Sequence, residues 1–129
     1  MALVRAMRIA IVGSRDGLPW TRVKAAIAEL VGRPGVTSVV SGGALGVDRL
    51  AESIALATGR NVVTVRPDWQ RYGRSAGFRR NVQIVEQADE VYAFWNGTSK
   101  GTKHTIDIAR KMRKPVHVIT FDDSVAPPM

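Results

Sequence analysis

The sequence predicts an α/β fold: a doubly wound parallel sheet of about five strands with helices on both faces. Three observations carry this. Short runs rich in β-branched residues alternate with longer stretches whose apolar residues recur at helical spacing. Such alternation implies parallel strands joined by helical crossovers. The turns from strand into helix join glycines to a cluster of hydroxyls and cations, and those from helix into strand have no comparable polar cluster.

The elements follow in order. Residues 7–12 (Met-Arg-Ile-Ala-Ile-Val) read as the first strand, ending in the polar loop 13–17. Pro19 suits the first turn of a helix. Trp20, Val23, Ile27, Leu30 and Val31 then fall on one face, with Trp20 as a core or edge contact. Gly32, Pro34 and Gly35 end that helix. Residues 36–40 form a second strand, valine-rich as a strand covered on both faces should be.

The glycine turn 41–46 leads into a helix to about Thr58, carrying Val47, Leu50, Ala51, Ile54 and Ala55 on its apolar face, with Gly59 as its cap. Residues 61–65 are a third strand. Residues 66–77 form the longest irregular segment, with two aromatics and three arginines. A helix over about 76–88 directs Phe78, Val82 and Val85 inward. Residues 90–95 are a fourth strand, followed by the turn 96–102. The next helix directs Ile106, Ala109 and Met112 inward and stops at Pro115. Residues 116–121 are the fifth strand, and 122–129, with two prolines, read as a frayed tail. The whole chain is expected to form one domain, with its ordered core at about 7–121.

In a parallel sheet every strand-to-helix turn lies at the carboxyl edge. Here those turns are 13–17, 41–46, 67–77 and 96–102. Together they bring Ser14, Arg15, Arg71, Arg74, Lys100 and Thr102 to one edge. The opposite edge (32–35, 59–60, 114–115) has no such cluster. Glycines let a ligand approach the backbone, and helix N-termini present unpaired N–H groups with partial positive charge. The 41–46 turn alone is equally a plain steric turn. The edge as a whole suits a phosphate-bearing ligand. Trp69 and Tyr72 are candidates to stack on a base, although Trp69 reads first as pinning its loop to the core. Arg79, Arg80 and Asn81 crowd the first turns of their helix, where cations oppose the macrodipole unless an anion joins them.

The 129 residues are 45% apolar and carry a net charge of +8, which favours an anionic partner or a solvated basic surface. There is no cysteine, which excludes disulfides, thiolate nucleophiles and cysteine–zinc sites. His104 and His117 alone do not make a metal site, and His117, in an apolar strand, reads as structural. Arg5 and Arg8 interrupt the N-terminal apolar stretch, and no segment reaches transmembrane length. A soluble cytoplasmic protein without membrane contact is expected.

Several motifs, in order and covering about residues 7–121, resemble the SLOG superfamily, which joins the DNA-processing protein DprA to the LOG cytokinin-activating hydrolases. They are Gly13-Ser14-Arg15; Ser41-Gly42-Gly43-Ala44-Leu45-Gly46-Val47-Asp48; Ala76-Gly77-Phe78-Arg79-Arg80-Asn81; and Gly101-Thr102. The small YspA-like branch is most similar. The resemblance implies a Rossmann-like fold that binds nucleotides or their derivatives. By position, Gly13, Ser14 and Arg15 line the first turn. Ser41, Gly42, Gly43 and Gly46 hold phosphate or ribose, with Asp48 at the start of the second helix. Arg80 and Asn81 match an Arg-Asn motif, and Gly101 and Thr102 the second phosphate turn. Trp69 and Arg74 join this ligand-binding set from the 66–77 loop. Relatives often pair beside the site, so a dimer or tetramer is expected.

One departure matters. LOG hydrolases place a glutamate three residues beyond the Gly-Thr pair, and this chain has Thr105 there. Threonine cannot act as a general acid or base at neutral pH. The leading expectation is therefore a sensor or sequestering module for a nucleotide or ADP-ribose- or NAD-like ligand, with no certain cofactor and no metal. Two alternatives stand beside it. One is a nucleotide phosphoribohydrolase, with Asp48 or His104 as the catalytic candidates and Asp16 and Asp68 as further carboxylates. The other is single-stranded nucleic-acid binding, as in DprA.

Overall fold

A computed structural model describes residues 6–121. The tail expected at 122–129 and the N-terminal Arg5 lie outside the described residues. Five strands form one wholly parallel sheet: β1 (Met7–Gly13), β2 (Val36–Ser41), β3 (Asn61–Thr64), β4 (Glu90–Phe94) and β5 (Val116–Ile119), in the order β3-β2-β1-β4-β5. β1 is central, and its Ile9 lies opposite Val39 of β2 and Glu90 of β4. The chain goes one way from β1 to β2 and β3, then crosses back to β4 on the other side. The carboxyl ends of β1 and β4 therefore flank the switch point, where loops diverge and leave a crevice.

Helices α1 (Trp20–Val31) and α2 (Val47–Ala57) cover one face. Their buried Val23, Ile27, Leu30, Val31, Val47, Ala51 and Ala55 pack on Ile9, Ile11, Val39 and Phe94. Helices α4 (Ala76–Gln87) and α5 (Lys100–Lys111) cover the other, with Ile84, Val85, Ile106 and Ala109 against Ala10, Val12, Val40 and Ala93. Full burial of each large aliphatic or aromatic side chain is worth about 1.5–3 kcal/mol.

The predicted loop 66–77 is largely helical. It contains the short helix α3 (Trp69–Tyr72) and a 3-10 turn (Gly73–Ser75) that runs directly into α4. Asp68 caps α3, its carboxylate accepting from Arg71 N at 3.1 Å. An aspartate before a run free of glycine and proline is the signal for this turn.

Two inward assignments are corrected. Phe78 is 57% exposed, because α4 turns Ala76, Asn81, Ile84 and Val85 inward instead. A polar residue, Asn81, occupies the face that apolar spacing alone would have filled. Met112 is 38% exposed because α5 ends at Lys111 and Arg113 takes a left-handed φ of 58° that redirects the chain. Trp20 lies at the edge of its helix face, 39% exposed. His117 is exposed and stacks on Tyr92, ring centroids 4.7 Å apart. Among the described residues no helix is long and apolar enough to cross a membrane.

Candidate functional site

Two loops are zipped together at the switch point. Ser14, buried just after β1, donates its N–H to Phe94 O (3.0 Å) and accepts Asn96 N on its hydroxyl (3.1 Å). Asn96 reaches back with Nδ2 to Asp16 O (3.2 Å), while its Oδ1 accepts from Thr98 N and Ser99 N, both at 2.9 Å. This asparagine turn aims Ser99 at the start of α5, where its hydroxyl caps Thr102 N at 3.4 Å. Gly13 permits the junction. A Cβ there would lie 2.6 Å from both Phe94 O and Val47 Cγ2.

The β2–α2 turn forms the next wall. Gly46 has a φ of 86°, and a Cβ on it would come within 2.9 Å of the Arg15 and Ser14 backbone, so the first two turns touch. The donors of this turn are partly used by its own side chains. Gly43 N donates to Ser41 Oγ (3.1 Å), and Ala44 N donates to Asp48 Oδ2 (3.2 Å). Ser41 is fully buried and donates to Glu52 Oε1 (2.9 Å), which also accepts from Thr64 Oγ1 (3.0 Å).

From α4, Arg80 crosses to the same turn. Its Nη1 donates to Gly42 O (2.8 Å) and its Nε to Asn81 Oδ1 (2.9 Å). Asn81 Nδ2 lies 3.1 Å from His104 Nδ1. Because the Asn81 oxygen faces Arg80, its amide nitrogen faces His104. Nδ1 is then the acceptor and the imidazole proton sits on Nε2.

These elements enclose a crevice of about 450 Å³. Gly13, Arg15 and Asp16 line it from the first turn, and Ala44 and Asp48 from the second. Arg80, Asn81 and Ile84 line it from α4, and Asn96, Thr98, Ser99, Gly101 and Thr102 from the last turn. Its size is in the range of small-molecule sites. Asp48 is 6% exposed. Burial raises its pKa to about 6, against the opposing pull of the Ala44 N–H and the Arg80 charge, and Glu52 adds to the rise. Burial is also the main cause that lowers the Arg80 pKa. Asp48 opposes that lowering and the nearby Arg15 charge adds to it. Burial lowers the His104 pKa, opposed by Asp107.

Of the residues singled out from the sequence, Gly13, Arg15, Asp48, Arg80, Asn81, Gly101 and Thr102 meet at this crevice. Gly42, Gly43 and Trp69 border an adjoining hollow. Ser14 and Ser41 are turned into the protein, where they tie loops together, and Gly46 shapes a backbone crossing. Arg74 is exposed on the 3-10 turn and lines neither space, and His104 stands behind Asn81. Trp69 does not pin its loop to the core, being 59% exposed. Thr105 is buried and donates back to Gly101 O at 3.2 Å. Asn96 and Ala44 were not singled out. The Asn-Gly pair closing the fourth strand is the signal that marks Asn96 as an organiser of its turn.

The parallel 3-2-1-4-5 sheet with its crevice at the switch point defines a Rossmann-like α/β protein. The model of the YAcAr family, the YspA, cpYpsA-related SLOG family, matches residues 7–72, and the chain belongs to this family. It is 37% identical over 123 residues to the Gene 61 protein of Mycobacterium phage D29, covering 90% of this chain and 97% of that protein. Among solved structures it resembles two DNA processing proteins A. That of Helicobacter pylori, described with a single-stranded DNA binding mode, has a TM-score of 0.70 at 22% identity over 88% of this chain. That of Streptococcus pneumoniae has a TM-score of 0.72 at 20% identity over 92% of this chain. This chain spans only 65% and 52% of those two chains. A molybdenum cofactor binding protein from Rippkaea orientalis has a TM-score of 0.71 at 21% identity, over 93% of this chain and 80% of that one. At these identities the solved structures show the fold alone.

Proposed function

We propose that the crevice binds a phosphate-bearing nucleotide or nucleotide-derived ligand of ADP-ribose or NAD type, and that the protein acts as a sensor or sequestering module. One observation carries this reading. The Arg15 and Arg80 guanidinium groups converge on a crevice that also receives the first turn of α5. Arg80 is held in place by Gly42 O and Asn81, so its other N–H groups are pre-aimed without a further ordering cost. Like charges brought together at the positive end of a helix favour an anion between them.

The test is a thermal-shift panel of AMP, ADP, ADP-ribose, NAD and a short single-stranded oligonucleotide, each at low and high salt. A ligand selective for the native state raises the melting temperature by mass action. Stabilisation by a small nucleotide at both salt concentrations is expected. No stabilisation at millimolar ligand would refute the reading. Stabilisation by the oligonucleotide alone, lost at high salt, would replace it with DNA binding of the kind described for the Helicobacter pylori protein.

A second reading has one specific observation behind it. Asp48 borders the crevice with its pKa raised to about 6, a value suited to general acid–base work on an N-glycosidic bond. Release of free base from a nucleoside monophosphate, absent in Asp48→Asn, would establish it.

A further inference from the structure

A second hollow of about 320 Å³ opens beside the crevice, lined by Gly42, Gly43, Arg66, Pro67 and Trp69. Arg15, Ala44 and Arg80 line both spaces, so the two are lobes of one site with a shared arginine-bearing wall. The lobes differ chemically. The inner one is faced by the amides and hydroxyls of Asn81, Asn96, Thr98, Ser99 and Thr102 and by the carboxyl-bearing Asp16 and Asp48, groups that suit the hydroxyls of a sugar. The outer one offers an indole and a third guanidinium.

Trp69 is placed as a platform. It opens α3, whose first turn Asp68 caps, and its ring edge lies over Gly77 of α4, 3.6 Å from where a Cβ would stand. At that distance a Cβ would make ordinary van der Waals contact, so the ring rests against the start of α4. Its ring has no aromatic or cationic partner among the described residues, and it is 59% exposed. Indole exposed beside guanidinium groups suits stacking of a flat heterocycle and binding of the phosphate next to it.

The shared wall is where charge is densest. Arg80 presents the N–H groups left over from Gly42 O and Asn81, and Arg15 approaches it without a hydrogen bond or ion pair of its own among the described residues. One phosphate held at this wall leaves one lobe empty. Two linked phosphates straddle it and send one substituent into each lobe.

We infer that the site takes a two-armed diphosphate ester, with the diphosphate at the Arg15–Arg80 wall, a base stacked on Trp69 beside Arg66, and a polyhydroxylated arm in the inner crevice. The inference rests on the nucleotide-binding reading above and deepens it: it requires the diphosphate and an arm on each side of it, and assigns each part a place in the site.

The experiment is calorimetric titration of ADP-ribose and AMP into the wild type, Trp69→Ala and Gly101→Leu. The leucine enters the inner lobe from a position where a Cβ meets nothing within 4 Å. ADP-ribose is expected to bind the wild type at least about ten-fold more tightly than AMP, and to lose about ten-fold in each variant, the scale of one lost stacking or filling contact. AMP is expected to respond to one of the two variants only. Equal ADP-ribose affinity in the wild type and Trp69→Ala, with Gly101→Leu still weakened, would overturn the two-lobed assignment and leave the crevice reading standing. Absence of binding by either nucleotide to the wild type would remove both. Circular dichroism melts of the variants show that they are folded.

Discussion

Replacing Asp48 by asparagine tests the electrostatics of the site most directly. The carboxyl group is 6% exposed, and its pKa rises from 3.8 to about 6, chiefly through burial. The folded state therefore holds the Asp48 proton more tightly than the unfolded chain. The stabilisation this provides is complete below about pH 4, falls as the pH rises towards 6, and is gone above that. A shift of about 2 units (6 less 3.8) corresponds to ~3 kcal/mol.

Asparagine does not titrate, so the stability difference between Asp48→Asn and wild type should move by roughly that amount in favour of asparagine between pH 4 and pH 7. Urea denaturation at half-unit pH steps reads this directly, because other titrating groups cancel in the difference. Parallel stability curves for the two proteins would show that the Asp48 pKa is not raised on folding and that Arg80 and the Ala44 N–H offset its burial. The same charge acts on ligands. An anion in the crevice should bind the wild type more weakly as the pH passes 6, and Asp48→Asn with no such decline.

Gly13→Ala should destabilise the fold by at least about 2 kcal/mol in chemical denaturation, because its Cβ would press on the Phe94 carbonyl and Val47, neither of which can yield cheaply. Gly101→Leu should leave the melting temperature unchanged or raised, since leucine favours helix over glycine by roughly 1 kcal/mol, while nucleotide binding falls. A lowered melting point would show that position 101 packs more closely than its open surroundings indicate. Arg80→Lys should weaken nucleotide binding about ten-fold by titration calorimetry, because a lysine cannot bridge Gly42 O and Asn81 while also presenting a fork to phosphate. Gly42→Ala should have a similar effect from the other side, as its Cβ would stand 2.6 Å from Arg80 Nη1 and 2.9 Å from Asp48 Oδ2. Restored affinity in an Arg80→Lys, Gly42→Ala double variant would contradict the tether.

Alternating valine-rich runs and helical periodicities determined the parallel sheet, its five strands and the edge on which its strand-to-helix turns lie. Those signals are local, because a strand or amphipathic helix records in its own spacing which face it buries. They also brought Ser14, Arg15, Arg71, Arg74, Lys100 and Thr102 to one edge, whereas Asp48, Arg80 and Asn81 were assigned to the site only by the family resemblance. Tertiary structure alone decided what these residues do to one another. Arg80 and Gly42 O are separated by 38 positions, and Ser14 and Asn96 by 82, so neither contact leaves a trace in local pattern. Ser41 and Ser14 looked equivalent to the other polar residues of their turns until the fold turned them inward. The sequence favoured Arg74 for the ligand-binding set, yet Arg74 sits on a helical turn away from both lobes and Arg66, not singled out, lines the outer one. The raised pKa of Asp48 has the same origin. Its cause is burial, which depends on every element packed around the carboxyl group and on no neighbour in the chain.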